Sequence, residues 1–133
     1  MATDFHLSVV SPDKTVVNEQ ATSVVAPGEQ GYFGVLANHE PFVAQLKVGI
    51  ITFKDAGGKE QNVAISGGFL EASGTKVIVI ADSAETERDV NRERAVAALE
   101  RAKKRVEQTA GDFNHARAVA SMERATNRLK LLG

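Results

Sequence analysis

The sequence predicts an antiparallel β-sandwich or barrel followed by an antiparallel two-helix hairpin, on three observations. Up to about Ser83, apolar residues alternate with polar ones in short runs broken by Gly, Pro and Asn, the pattern of half-buried strands. From Ile65 to Asp82 the stretch ISGGFLEASGTKVIVIAD carries a Ser66-Gly67-Gly68 corner, where a side chain would block close backbone approach, and a Ser73-Gly74 turn. Its last strand, Val77-Ile78-Val79-Ile80, has β-branched residues on both faces and is expected to be covered on both sides. Beyond Asp82 the chain becomes rich in Ala, Glu and Arg and contains no proline. These changes place a β domain at residues 1–83 and a helical hairpin at 84–133.

In order along the chain, Phe5 to Val10 alternates as a strand, Ser11-Pro12-Asp13-Lys14 is a turn, and Thr15-Val16-Val17 resumes the strand. Ala21 to Ala26 reads as another β segment ended by Pro27-Gly28, and the glycines at 28, 31 and 34 predict an exposed loop. Phe42-Val43-Ala44 and Gly49 to Phe53 read as strands, and Asp55-Ala56-Gly57-Gly58-Lys59 as a hairpin loop before Gln61 to Ile65. Phe69-Leu70 pairs with Val77 to Ile80 across Ser73-Gly74.

Helix signals begin past Asp82. Asp82 and Glu85 have capping-box spacing, and Asp89 is a second N-cap candidate. From Asn91 to about Gln108, Ala95, Ala98, Leu99, Ala102 and Val106 share one face. Thr109-Ala110-Gly111-Asp112 breaks the helix, with Gly111 as C-terminal cap and Asp112 as the next N-cap. A second helix is expected from Phe113 to about Leu132, with Val119, Met122, Ala125, Thr126 and Leu129 along its buried stripe. Alanines bury little area, about 0.8 kcal/mol per methylene. The hairpin is therefore weakly anchored and reads either as a fixed cover or as a mobile arm.

A hydrophobic content of 43% is ordinary for a globular fold, and no run approaches the roughly 20 apolar residues of a membrane span. The start, Met1 to His6, lacks the basic and apolar regions of a secretory signal, and with no cysteine the chain is expected to be made and kept inside the cell. Zero cysteine also excludes disulfides and thiolate metal sites. A net charge of −1 divides into about −4 up to Ser83 and about +3 beyond it, which could orient the second half against an acidic partner.

Catalytic motifs are missing. Gly28-x-x-Gly31-x-x-Gly34 lacks both the Lys-Ser/Thr of a phosphate loop and a following helix pattern. Ser66 lacks nucleophile-elbow spacing, and His6, His39 and His115 have no metal-ligand spacing. Glu85 and Glu87 belong to a solvated helix start. Neither catalytic nor metal residues are expected.

Three segments in order carry a family resemblance: Gly31-Tyr32-Phe33-Gly34-Val35-Leu36-Ala37-Asn38-His39-Glu40-Pro41, then Ser66-Gly67-Gly68-Phe69-Leu70-Glu71, then Val77 to Asp82 with the Ala/Arg hairpin. Together they resemble the epsilon subunit of bacterial F-type ATP synthase over essentially the whole chain. The resemblance implies a flattened β-sandwich of about ten strands and two helices, in a non-catalytic subunit of the central stalk. It implies attachment to the gamma subunit and the c-ring through Gln30, Gly31, Tyr32, His39 and Glu40. It further implies a hairpin that can extend towards the catalytic alpha and beta subunits and inhibit ATP hydrolysis, and a peripheral place on the cytoplasmic face of the cell membrane. Tyr32 stands where Glu or Gln is frequent in the family.

Some members bind ATP between the helices through Ile/Leu-Asp-x-x-Arg-Ala and two arginines of the second helix. The matching residues are Asn91, Arg94, Arg124 and Arg128, with Asn91 replacing the aspartate. Sliding the motif to Asp89-x-x-Arg92 restores the acid but loses the flanking apolar positions. No cofactor is required, and ATP is a candidate regulatory ligand only. Two other classes compete with the stalk reading. One is a free-standing nucleotide sensor using Arg94, Arg124 and Arg128; the other is a basic nucleic-acid binder, disfavoured by the many acids and the lack of aromatic stacking residues on the helices.

Overall fold

The computed structural model describes residues 3–133, so Met1 and Ala2 of the start read for a secretory signal lie outside the described residues. Seven strands form the first unit: β1 (Phe5–Val10), β2 (Thr15–Gly28), β3 (Gly31–Leu36), β4 (Phe42–Asp55), β5 (Glu60–Ser73), β6 (Lys76–Ala81) and β7 (Ala84–Glu85). Their order is β1-β6-β5-β4-β2-β3, with β7 on β5 and a further pairing of β1 with β2 that closes five strands into a ring.

Ring closure explains the one departure from an antiparallel sheet. Strand direction cannot reverse at every step around a ring of five, so one neighbouring pair has to run the same way. That pair is β1 and β6, in register from His6↔Lys76 to Val10↔Ile80. The strands β2, β4 and β5 are each 14 residues long. Segments that the sequence splits, such as Phe42–Ala44 and Gly49–Phe53, therefore belong to one continuous strand. On β2 the register with β4 shifts between Ala21 and Ser23 and again between Val25 and Gly28. Counting each 14-residue strand as two segments, the seven strands correspond to the ten of the expected flattened sandwich.

Alternation sets the core. On β1, Phe5, Leu7 and Val9 are buried and their neighbours only partly so. They meet Val24, Ile51, Phe53, Val63, Ile65, Leu70, Val77 and Val79 inside the ring. The expectation that β6 is covered on both faces is corrected by Ile80, which is 54% exposed: only alternate residues of a strand point into a closed sheet.

The double-glycine corner acts as expected. Gly68, at φ +139°, lies so close to the Ile80 carbonyl that any Cβ would overlap it. The predicted hairpin follows, pairing Leu70 with Val79 and Ser73 with Lys76 around Gly74. The expected loop over glycines 28, 31 and 34 is corrected: Gly31–Leu36 is strand β3, because Tyr32, Phe33, Val35 and Leu36 favour extended backbone strongly enough to carry two glycines on an edge strand. Only Glu29 and Gln30 form the turn.

The first compact unit ends at Thr86 and the second spans Glu87–Gly133. Ala84 and Glu85, beyond the division placed at residue 83, still pair with Ile65 and Ala64. After a 3₁₀ turn at Glu87–Asp89, helix α1 spans Arg92–Gln108 and α2 spans His115–Leu131. Neither Asp82 nor Asp89 caps α1. Asn91 does, its Oδ1 accepting the Arg94 N–H at 3.0 Å. Likewise α2 begins after Asn114 and not after Asp112, whose Oδ1 instead accepts the Asn114 N–H at 3.1 Å; Phe113 is left in the connection, 93% exposed. Ala95 and Ala102 are buried on α1; on α2, Ala118, Ala125, Asn127 and Leu131 are buried, while Val119, Met122, Thr126 and Leu129 are half-covered. A stripe drawn from apolar periodicity has no means of including Asn127. The hairpin's open ends are tied by Arg92, which donates to the Leu132 carbonyl at 3.3 Å.

Candidate functional site

The β unit presents the two-residue tip Glu29–Gln30, exposed between Gly28 and Gly31, which face each other in the β2–β3 ladder. This tip is braced on both faces. On one side Phe33 lies over Gly28, close enough that a Cβ there would come within 2.9 Å of its ring, and Phe33 meets Phe42 edge to face with centroids 6.0 Å apart. On the other, Tyr32 crosses to β4, where its hydroxyl accepts the Ile50 N–H at 3.0 Å, while its residue as a whole stays 57% exposed. The Glu29 N–H donates to the Gln45 carbonyl at 3.1 Å. Gln30, Gly31 and Tyr32 are thus brought together on a stiff, exposed tip.

The second candidate region behaves differently. His39 follows Asn38, which takes a left-handed φ of +64°. The His39 ring turns inward: Nδ1–H donates to the Leu36 carbonyl at 3.0 Å, and the ring meets Phe5 edge to face at 5.9 Å. Its Nε2 is buried with no hydrogen-bond partner among the described residues. His39 holds the turn in place while Glu40 and Pro41 are exposed.

On the helical unit, the candidate nucleotide residues have separate local tasks. The Asn91 oxygen is committed to the α1 cap. Arg94 is exposed in the first turn of α1, and Arg124 donates to Ser121 Oγ at 3.1 Å. Arg128 lies one turn further along α2. Arg101, Lys103, Lys104 and Arg105 form an exposed basic run on α1, balanced locally by Glu100, 3.8 Å from Lys103. Among the described residues no group of three or more His, Asp and Glu is placed to hold a metal ion, and no helix is long and apolar enough to cross a membrane.

Two domain families match the chain end to end: the β-sandwich domain of the ATP synthase delta/epsilon chain over residues 4–87, and its long α-helix domain over residues 88–133. The chain belongs to the ATP synthase delta/epsilon family. Relatives described as ATP synthase epsilon chain include one from Desulfatibacillum aliphaticivorans, 50% identical over 107 residues that cover 80% of this chain and 76% of that one. Another, from Desulfitobacterium hafniense, is 45% identical over 111 residues, covering 84% and 83%. Among solved structures, a chain of the Euglena gracilis mitochondrial ATP synthase assembly of OSCP, F1 and c-ring superposes with a TM-score of 0.84 at 25% identity, covering all of this chain and 84% of that one. As an epsilon-family chain, the protein takes its place in the central stalk of the F-type ATP synthase, as the resemblance implied.

Two features escaped sequence reasoning. The Asn91 cap was detectable, since Asn one residue before a helix is among the best N-caps. The Tyr32–Ile50 bond was not, because it joins residues 18 apart in the chain through a break in strand register.

Proposed function

We propose that the β unit attaches this epsilon-family subunit to the gamma subunit and the c-ring, and that the helical hairpin restrains ATP hydrolysis when it reaches the catalytic alpha and beta subunits. The subunit contributes no catalytic residues, works without a cofactor and sits peripherally on the cytoplasmic face of the membrane. The observation that carries the attachment reading is the braced tip: Gln30, Gly31 and Tyr32 are exposed yet held on both faces, the preorganisation that lowers the ordering cost of binding. Glu40 is presented by the neighbouring turn, with His39 as its support. Replacing both Gln30 and Glu40 by Arg tests this. The variant chain is expected to fold normally and to lose co-purification with synthase depleted of its own epsilon subunit; full retention would contradict the reading.

Regulation by ATP on the hairpin is a second reading, supported by Arg94, Arg124 and Arg128, since guanidinium groups donate paired hydrogen bonds in a plane suited to phosphate. Asn91 weighs against tight binding: its oxygen already accepts the Arg94 N–H, and as a neutral amide it orients an arginine or accepts from adenine more weakly than a carboxylate. ATP is therefore a weak ligand in this proposal, and Mg-ATP titration tests it.

A further inference from the structure

Where β2 and β4 run together, residues such as Val25↔Thr52 and Val24↔Phe53 pair in step. Between Val25 and Gly28 the register slips, and pairing resumes at Gly28↔Leu46, so that three steps on β2 span six on β4. The Ile50 amide falls inside this gap and has no β2 carbonyl opposite it in the ladder. Tyr32 supplies the missing acceptor, its hydroxyl 3.0 Å from Ile50 N. Room for the phenol comes from Gly49, where a Cβ would stand 2.7 Å from the hydroxyl oxygen and would overlap the Pro27 ring. Pro27 is also the cross-strand partner of Tyr32 and is buried beneath it.

We infer that Tyr32 is a positioning residue of the stalk contact: its hydroxyl ties the Glu29–Gln30 tip to β4 at the register gap, and so fixes the attitude in which the tip meets the neighbouring subunit. This rests on the attachment reading above. A carboxylate or amide at position 32 would meet a partner directly. The phenol instead reaches past its own strand and its oxygen accepts from Ile50 of its own domain, while the residue stays 57% exposed and so available as an aromatic contact. The chemistry of the contact accordingly shifts from charge at position 32 to shape, with Glu29 and Gln30 as the polar groups at the apex.

The test uses the full chain. Tyr32→Phe deletes the hydroxyl and keeps the ring. It is expected to speed hydrogen exchange at the Ile50 amide about tenfold in the free protein and to weaken association with epsilon-depleted synthase several-fold, at an unchanged circular dichroism spectrum. Gly49→Ala, whose Cβ crowds the Pro27 ring as well as the Tyr32 hydroxyl, is expected to reproduce the faster exchange at Ile50 and the weakening. If Gly49→Ala does not fold, Tyr32→Phe decides alone. Unchanged exchange at Ile50, or accelerated exchange with undiminished association, overturns the inference. Gln30→Arg separates the two levels: association lost with Gln30→Arg but kept with Tyr32→Phe removes only the tether, whereas association kept in both removes the tip as the contact.

Discussion

At the scale of single residues, a few side chains fix the backbone that everything else is hung on. Asp55 closes the β4–β5 hairpin by accepting the N–H groups of Gly57 and Lys59 at 3.0 and 2.9 Å and the Gln61 amide at 2.9 Å. The Lys59 backbone bond, then the Gln61 side chain, hold its carboxyl below its ordinary pKa, against an opposing desolvation. A carboxyl whose pKa is lower when folded stabilises fully above its unfolded value, near pH 4, and loses that contribution as pH falls through the lowered folded value. The stability difference between the unaltered chain and Asp55→Ala is therefore expected to be constant near neutrality and to shrink below about pH 4, as read by urea unfolding at several pH values. Asn91→Ala removes the α1 cap and should cost about 1 kcal/mol, visible as reduced helicity and an earlier unfolding midpoint; Asn91→Asp keeps the cap and adds a favourable charge at the helix start. The same Asn91→Asp change is expected to tighten ATP binding by up to about tenfold, and Arg94→Ala to abolish it, in calorimetric titrations. Tight binding by the unaltered chain that survives Arg94→Ala would place the nucleotide elsewhere.

At the scale of elements, legibility followed the range of the interactions. The extents of the helices were readable to within about two residues because a long 3.6-residue period repeats its evidence every turn; the starting residues, which depend on one or two positions each, and part of the α2 stripe were misplaced. The β5–β6 hairpin was readable because Ser73-Gly74 is a local turn signal between two apolar runs; Gly68 is held by the Ile80 carbonyl across that hairpin, and Gly68→Ala is expected to unfold or severely destabilise the β unit in thermal melts. Strand β3 was missed because its glycines outweighed its aromatic and β-branched residues. The parallel β1–β6 pair was invisible for a different reason: it follows from closing a ring, which is a property of no single segment. The candidate site divides in the same way. The exposed turn at Glu29–Gln30 is written in local sequence, whereas its bracing by Tyr32 and the inward turn of His39 depend on contacts with β4 and β1. Strand β7 shows the cost of a boundary drawn from pattern alone. A chain ending after Ser83 would lose Ala84, which is 3% exposed, and its pairing to β5, and should be less stable than one ending after Thr86.

At the scale of the whole molecule, the two units carry opposite charge, acidic up to Ser83 and basic beyond it, and different kinds of packing. The first is a closed sheet around large side chains; the second joins two helices mainly through alanines. Such a division would suit the proposed roles, in which one part holds to the stalk and the other acts on the catalytic subunits. Replacing Arg117, Arg124 and Arg128 by Ala should raise the ATPase rate of assembled enzyme if the hairpin restrains hydrolysis through its positive charge, and an unchanged rate in an intact complex would count against it. The most direct test of the division is co-purification of the chain truncated after Thr86 with epsilon-depleted synthase. Retention of the truncated chain in the complex is the predicted result; a β unit that folds but no longer associates would contradict the account.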